Sequence, residues 1–351
     1  MALEIVRGGR PHRLLLVTLS VAVLLVLLRL PFAYGSYRVF QFTLVMIWAI
    51  AVMGLNLLVG YNGQISIGHN AFFAVGAYTA AILMHRYEAN LVLCLVAAAL
   101  LTFLLGVAVG IPALRLRGLH LAIVTLALAM ATAAILQRFE SLTGGATGLR
   151  VRSLAPPEWL HLANDQYLYF IALTIAIVMF VVARALTRSA FGRAIVAIKD
   201  NQLAAEAMGV DPRVFKVLTF AISGMYAGVA GVLYVLAVNY VSPEAFPLLM
   251  SVTFLAAIAV GGLSTVQGAI IGAVFVQFVP QFASEVNASL ATLIYGVILI
   301  AFMILAPRGL AGLSKRVSVH LVRVIDPLDR ADRHAPDTAL TVEPYGAGSA
   351  S

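Results

Sequence analysis

Charge is what this chain has least of. Asp, Glu, Lys and Arg together make up 11% of its 351 residues, against roughly 25% in an average soluble domain, too few to cover a water-facing surface. Cysteine occurs once, at Cys94 inside an apolar run, which excludes an internal disulfide and a cysteine-based zinc cluster. Only three lysines are present, Lys199, Lys216 and Lys315. None follows a glycine and G-x-x-x-x-G-K-[ST] is missing, so the chain has no phosphate-cradling loop with which to hydrolyse ATP. H-E-x-x-H and G-x-S-x-G are missing as well, along with any pair of membrane carboxylates that could act as acid and base.

The acidic residues are also absent from one kind of place. Glu4, Glu88, Glu140, Glu158, Asp165, Asp200, Glu206, Asp211, Glu244, Glu285 and five residues of the C-terminal tail all fall outside the apolar segments or at their margins. Ion-coupled pumps ordinarily need an ionisable group at mid-membrane to bind the coupling ion, and His69 is the one titratable residue inside an expected span. A passive channel or secondary carrier stays open as an alternative, the missing carboxylates counting against coupled transport; a membrane-embedded enzyme lacks its machinery.

What is present is apolar surface. Hydrophobic residues make up 62% of the chain and the mean hydropathy is +0.99. Ten hydrophobic segments, at about 14–30, 39–60, 65–84, 91–111, 119–137, 167–186, 214–238, 246–260, 264–283 and 290–306, predict an all-α polytopic transmembrane bundle. Whether 246–260 spans or re-enters stays open. The basic residues orient it, because Lys and Arg are retained in cytoplasmic loops. With the N-terminus inside, 17 of the 23 Lys and Arg fall on the inner side and Arg29, Arg38, Arg86, Arg138, Arg150 and Arg152 on the outer. Both termini and the loop 188–213 are therefore expected in the cytoplasm, and the net charge of +8 reads as a topology signal, without nucleic acid as a partner. The first segment is expected to be a retained helix, since no A-x-A site follows it, with a cleaved signal peptide as the alternative. The expected organisation is a transmembrane domain over 1–316 and a solvated, mobile cytoplasmic tail over 317–351.

Three patterns stand out from this background. Residues 188–213, RSAFGRAIVAIKDNQLAAEAMGVDPR, form a polar stretch between two apolar segments. Helix formers run from Ala194 to Lys199 and from Gln202 to Met208, broken at Gly209 and stopped by Asp211-Pro212, which predicts a short helix and a turn able to dock a protein or to lie on the membrane interface. Residues 54–78, GLNLLVGYNGQISIGHNAFFAVGAY, interleave glycines with Asn56, Asn62, Gln64, Ser66, His69 and Asn70. Irregular backbone at membrane depth is tolerated only where it is buried in protein or lines a cavity, so Asn62, Gln64, Ser66, His69 and Asn70 are candidate liners of a path for a small, mostly apolar solute, or else interhelical hydrogen-bonding groups. Gly224, Gly228 and Gly231, with Gly106/Gly110 and Gly268/Gly272, mark seams where helix backbones approach closely.

The stretch AAEAMG, 204–209, resembles the cytoplasmic coupling motif of ABC importer permeases. Together with GLNLLVGYNGQISIGHNAFFAVGAY, LRLRGLHLAIVTLAL (114–128), LTGGATGL (142–149), GGLSTVQGAIIGA (261–273) and PRGL (307–310), it resembles the LivM-like permeases of high-affinity branched-chain amino acid importers over about residues 40–313. The resemblance implies a multi-pass protein of the bacterial inner membrane that moves leucine, isoleucine and valine. It also implies a second homologous permease, two cytoplasmic ATPases that use ATP and Mg, a periplasmic solute-binding protein and surrounding lipid. This chain would itself hold no cofactor and no metal. Ala204, Ala205, Glu206, Ala207 and Gly209 would lie in or beside the element that enters a groove on the ATPase, although the order here is Ala-Ala-Glu-Ala and not Glu-Ala-Ala. Related permeases serve urea, short amides and other amino acids, so the solute is not fixed by the resemblance. In the charge-derived topology the outer loops holding Glu158 and Glu244 are the expected docking surface for the binding protein.

Overall fold

A computed structural model describes residues 3–6, 10–116, 118–305, 309–312 and 322–325. Arg117, Pro307, Arg308 and the tail from 317 onward, except 322–325, lie outside them. The chain divides into two compact units, one of Met1–Val26 with Ser314–Ser351 and one of Leu27–Leu313. In the first unit, strand β1 (Leu3–Val6) pairs in parallel with a strand at Val322–Ile325. The second unit is the helical bundle.

Its elements follow the hydrophobic pattern closely. Helix α1 covers Arg10–Ala33, of which Leu27–Ala33 belongs to this unit; then come α2 Ser36–Leu55, α3 His69–Tyr87, α4 Leu91–Ala113, α5 Leu119–Arg138, and a four-residue α6 Glu140–Thr143. After an outer-loop strand β2 (Leu149–Arg150) come α7 Asn164–Arg188, α8 Ala190–Asp200, α9 Gln202–Ala207 and α10 Pro212–Val238. Strand β3 (Tyr240–Val241), α11 Leu248–Gly261, α12 Val266–Val286 and α13 Ala291–Leu305 complete the bundle. All ten expected segments fall on helices. Among the described residues, eight helical stretches are long and apolar enough to cross a membrane, and a shorter apolar stretch lies at Val21–Ala33. Helix α3 is not among the eight; His69 and Asn70 open it and His85 and Arg86 close it, which dilutes its hydropathy without preventing its burial.

Two boundaries differ from the sequence expectation. The segment predicted from 65 becomes helical only at His69, because the chain before it is consumed in a break: α2 runs on into a π-helical turn, Asn56–Tyr61, and Asn62–Gly68 is irregular. Asp211-Pro212, expected to stop a helix, instead starts one. The Asp211 carboxylate accepts from Arg213 N–H (2.9 Å), and Pro212 takes the first helical position, where no backbone donor is required.

Helix α10 is the axis of the bundle. In its most apolar stretch 72% of residues are buried, against 22% in α4 and none in α13, so α10 is enclosed by protein while α4 and α13 turn most of their surface outward. Close approach makes this packing possible. A Cβ at Gly228 would collide with Thr102 of α4, one at Gly76 of α3 with the Gly228 backbone, and one at Gly106 with Ala221. These are the glycine seams expected from sequence, and small residues there let α3, α4 and α10 gain dispersion contacts that lipid cannot match. Around α10, Trp48, Phe73, Tyr234, Phe246 and Phe254 form an aromatic cluster with centroid separations of 5.4–6.1 Å. Amide side chains tie α12 to α2: Trp48 Nε1 donates to Gln277 Oε1 (2.8 Å) and Gln41 Nε2 to Gln281 Oε1 (2.9 Å).

Candidate functional site

The polar stretch 188–213 folds as two helices. In α8, Gly192, Ala194, Ile195 and Ile198 are buried, a helical spacing that lays one face on the bundle, while Arg193, Lys199 and Asp200 are exposed. Asn201 breaks the helix and caps the next, its side chain accepting from Ala204 N–H (3.1 Å). Helix α9 then holds Ala204, Ala205, Glu206 and Ala207 and ends in a Schellman motif: Val210 N–H donates to Ala205 O (3.0 Å) and Gly209 N–H to Glu206 O (2.9 Å). That geometry requires the left-handed backbone that Gly209 supplies, with φ of 85°, and a Cβ there would meet nothing within 4 Å. Only Ala205 of the helix is buried. Leu203 and Met208 are 78% and 85% exposed, so α9 and its end present an apolar edge left uncovered among the described residues.

Glu206 faces a groove of about 610 Å³ between the end of α4 and the start of α10, lined also by Ile111, Leu114, Arg115, Gln202 and Arg213. Gln202 Nε2 donates to the Glu206 carboxylate (2.8 Å), and Lys216 Nζ donates to Gln202 Oε1 (2.8 Å). Glu206 is thus oriented by Gln202 within α9.

The five candidate path residues are all buried, and their partners separate them. Asn62 Nδ2 donates to Gln64 Oε1 (2.7 Å), while Asn62 Oδ1 and Ser66 Oγ are enclosed without a hydrogen-bond partner. His69 Nε2 sits 3.0 Å from Ala51 O with its ring edge-on to Phe254. Asn70 is fully engaged: its N–H donates to Ser251 Oγ (3.0 Å), the Ser251 hydroxyl donates to Asn70 Oδ1 (2.7 Å), and Asn70 Nδ2 donates to Phe246 O (3.2 Å) and Pro247 O (3.3 Å). Asn70 and His69 are therefore built into the packing, and the polar atoms left over belong to Asn62 and Ser66.

The two loops expected to dock a binding protein are joined. Strands β2 and β3 pair antiparallel, Leu149 opposite Val241 and Arg150 opposite Tyr240. Val151 N–H donates to Asn239 O (3.0 Å) and the Tyr240 hydroxyl to Thr147 O (2.8 Å). Glu158 and Glu244 are both exposed, each on a one-turn 3-10 helix. Among the described residues no group of three His, Cys, Asp or Glu is arranged to hold a metal ion.

Sequence reasoning did not single out the contact between the α2 break and the turn before α12. There Asn56 Nδ2 donates to Thr265 O (2.8 Å), Ser264 N–H donates to Asn56 Oδ1 (3.0 Å) and Ser264 Oγ donates to Gly60 O (2.6 Å). The only signal for it was the presence of both stretches among the family-like motifs, which carries no information about their pairing in space.

A bundle of lipid-length apolar helices around a buried, glycine-packed axis, with a broken polar segment and an exposed capped helix, defines a multi-pass membrane transport protein. Residues 37–305 match the family described as the permease component of the branched-chain amino acid transport system. The chain is 31% identical over 318 residues to the high-affinity branched-chain amino acid transport system permease protein LivM of Escherichia coli, covering 84% of this chain and 75% of that protein. It is 24% identical over 298 residues to LivH of Salmonella typhimurium, covering 80% and 96%. An autoinducer 2 import system permease protein, LsrC of Photorhabdus laumondii, is 25% identical over 48% of this chain and 50% of its own length. The chain belongs to the branched-chain amino acid transport permease family, and it functions as a permease subunit of an ABC importer.

Proposed function

We propose that this permease moves branched-chain amino acids across a bacterial inner membrane as one of two homologous permeases driven by two cytoplasmic ATPases and fed by a periplasmic binding protein. The observation that carries this reading is the 31% identity to LivM over 84% of the chain. Features of the fold support the residue roles in this reading. Ala204, Ala205, Glu206, Ala207 and Gly209 form the element that enters the ATPase, supported by the exposed apolar edge of α9 and the oriented carboxylate of Glu206. Glu158 and Glu244 lie on the docking face for the binding protein. The solute passes beside the α2 break, with Asn62 and Ser66 offering polar atoms to a zwitterion and Gln64, His69 and Asn70 shaping the wall. ATP and Mg are used by the partner ATPases, and this chain is non-catalytic. Both termini lie in the cytoplasm, and residues 1–316 form the permease domain, with a tail beyond it.

The test is uptake by proteoliposomes that contain this chain with a second homologous permease and two ATPases, supplied with a solute-binding protein. Labelled leucine should accumulate only when ATP and every component are present. Accumulation of urea or a short amide in place of leucine would reassign the solute, and leucine accumulation by this chain alone would end the importer reading.

A further inference from the structure

Three separate parts of the chain meet at the Gly60 carbonyl. Gly60 lies at the C-terminal end of the π-helical turn, where the last carbonyls of a helix have no intrahelical donor and carry its negative partial charge. Two of the backbone donors that follow it are directed to Leu57 and Leu58: Asn62 N–H reaches Leu57 O (3.2 Å) and Gln64 N–H reaches Leu58 O (3.1 Å). Gly60 O instead accepts from two side chains, Lys199 Nζ of α8 (2.6 Å) and Ser264 Oγ of the turn between α11 and α12 (2.6 Å). Lys199 Nζ also donates to Ser264 Oγ (3.2 Å), and the lysine stem runs over Gly63, where a Cβ would come within 3.0 Å of Lys199 Cγ.

Both segments that Lys199 touches hold backbone that departs from the regular forms. The π-helical turn is one. In the other, Ser264 has a φ of 57°, left-handed geometry that a non-glycine residue keeps only when its surroundings over-determine it. Here Asn56 supplies that determination by accepting from Ser264 N–H. Lys199 itself stands two residues before Asn201, the cap of α9, on a helix whose buried face fixes it to the bundle. A shift of α9 therefore reaches Lys199 through a continuous helix and one capped junction, and from Lys199 it reaches the α2 break and the α11–α12 turn together. An ammonium held by a carbonyl and a hydroxyl, both neutral, can exchange partners without breaking an ion pair.

We propose that Lys199 is a positioning residue that transmits movement of α9 to the π-helical break of α2 and to the Ser264 turn, so that both change shape together. This rests on the reading of α9 as the ATPase-coupling element.

The experiment compares Lys199→Met, which keeps the stem and removes the donors, with Lys199→Arg, in the complete reconstituted importer and in the purified permease. In the complete importer, Lys199→Met should co-purify with the ATPase as the unaltered protein does. Its uptake, and the stimulation of hydrolysis by loaded binding protein, should fall about tenfold, the effect of losing a charge-assisted hydrogen bond. Lys199→Arg should recover most of both. In the purified permease, hydrogen–deuterium exchange of Lys199→Met should rise at residues 62–68 and 262–265 and stay unchanged in α9. Unaltered uptake and stimulation in Lys199→Met would overturn the proposal, as would equal loss of ATPase association in both variants, which would mark a role in assembly only. If no ATPase associates even with the unaltered chain, it is the importer reading that fails. The exchange measurement still decides the lysine contact in that case, and unchanged exchange at both segments would overturn it.

Discussion

At the scale of single residues, the same residue type plays different parts according to what its polar atoms meet. Gly209 is needed for its backbone, since a Cβ there has open space and the only penalty is the left-handed conformation. Gly209→Val should cost about 1–2 kcal/mol at the end of α9, which corresponds to a roughly 5- to 30-fold weaker association with the ATPase. Gly209→Asn should be milder, because Asn also populates this conformation. Membrane insertion should be intact in both, and pull-down of the ATPase from detergent extracts measures the difference. Glu206→Lys should weaken the same association by reversing a charge on the proposed docking edge; unaltered binding in Gly209→Val and Glu206→Lys alike would remove α9 from the proposed coupling role. Ser66 and Asn70 give a second contrast. Ser66 Oγ has no partner, so Ser66→Ala should leave thermal stability within about 0.5 kcal/mol and still reduce leucine uptake if the path runs beside it. Asn70→Ala strands Ser251 and two backbone carbonyls and should cost about 1–3 kcal/mol, seen as a lower melting temperature in detergent. Normal uptake in Ser66→Ala and Asn62→Ala would move the path elsewhere.

At the scale of elements, contacts distant in sequence set the geometry. The two-residue pairing of β2 with β3 turns the loops around Glu158 and Glu244 into a joined surface. Photocrosslinkers placed at these two positions should both capture the purified binding protein, and labelling of either only from the cytoplasmic side would overturn the docking role and the topology together. The seam of α3, α4 and α10 makes the opposite kind of demand. Gly228 faces Thr102 on one side while its own backbone takes the close approach of Gly76, so Gly228→Leu cannot be absorbed by rotating a flexible neighbour. Overpacking of this kind costs about 1–3 kcal/mol or more, and the variant should show a reduced monodisperse fraction on heated size-exclusion chromatography.

At the scale of the whole molecule, the described residues leave much apolar surface open. Helices α4, α5, α7 and α13 leave large side chains such as Leu104, Met130, Val181 and Ile304 exposed, a surface suited to lipid or to another permease. The proposed importer draws its energy from partner ATPases, in keeping with a sequence that carries no G-x-x-x-x-G-K-[ST] loop. Reconstituted alone, it should neither hydrolyse ATP nor accumulate solute, and affinity purification from its native membrane should recover a second permease and an ATPase.

The membrane character, the number of hydrophobic segments, the glycine seams and the family were legible in the sequence because each is a local property, set by composition, by spacing along a helix or by a contiguous motif. Helix formation within 188–213 and its end at Gly209 were legible for the same reason, but one short helix and a turn were expected where the chain makes two helices, because Asn201 interrupts the run and caps α9. The start of α3 at His69 was not, because the break before it is held by Asn56, Ser264 and Lys199, from positions up to 208 residues apart. Nor was the division of the polar segment into engaged and unengaged atoms. Asn70 and Asn62 are the same amino acid in one short stretch, and only tertiary packing, which brings Ser251 and the Phe246 carbonyl to one of them, decides which is satisfied. Hydrogen bonding is settled by what lies within about 3 Å, and in a bundle of many helices that neighbour comes from a part of the chain that local pattern cannot name.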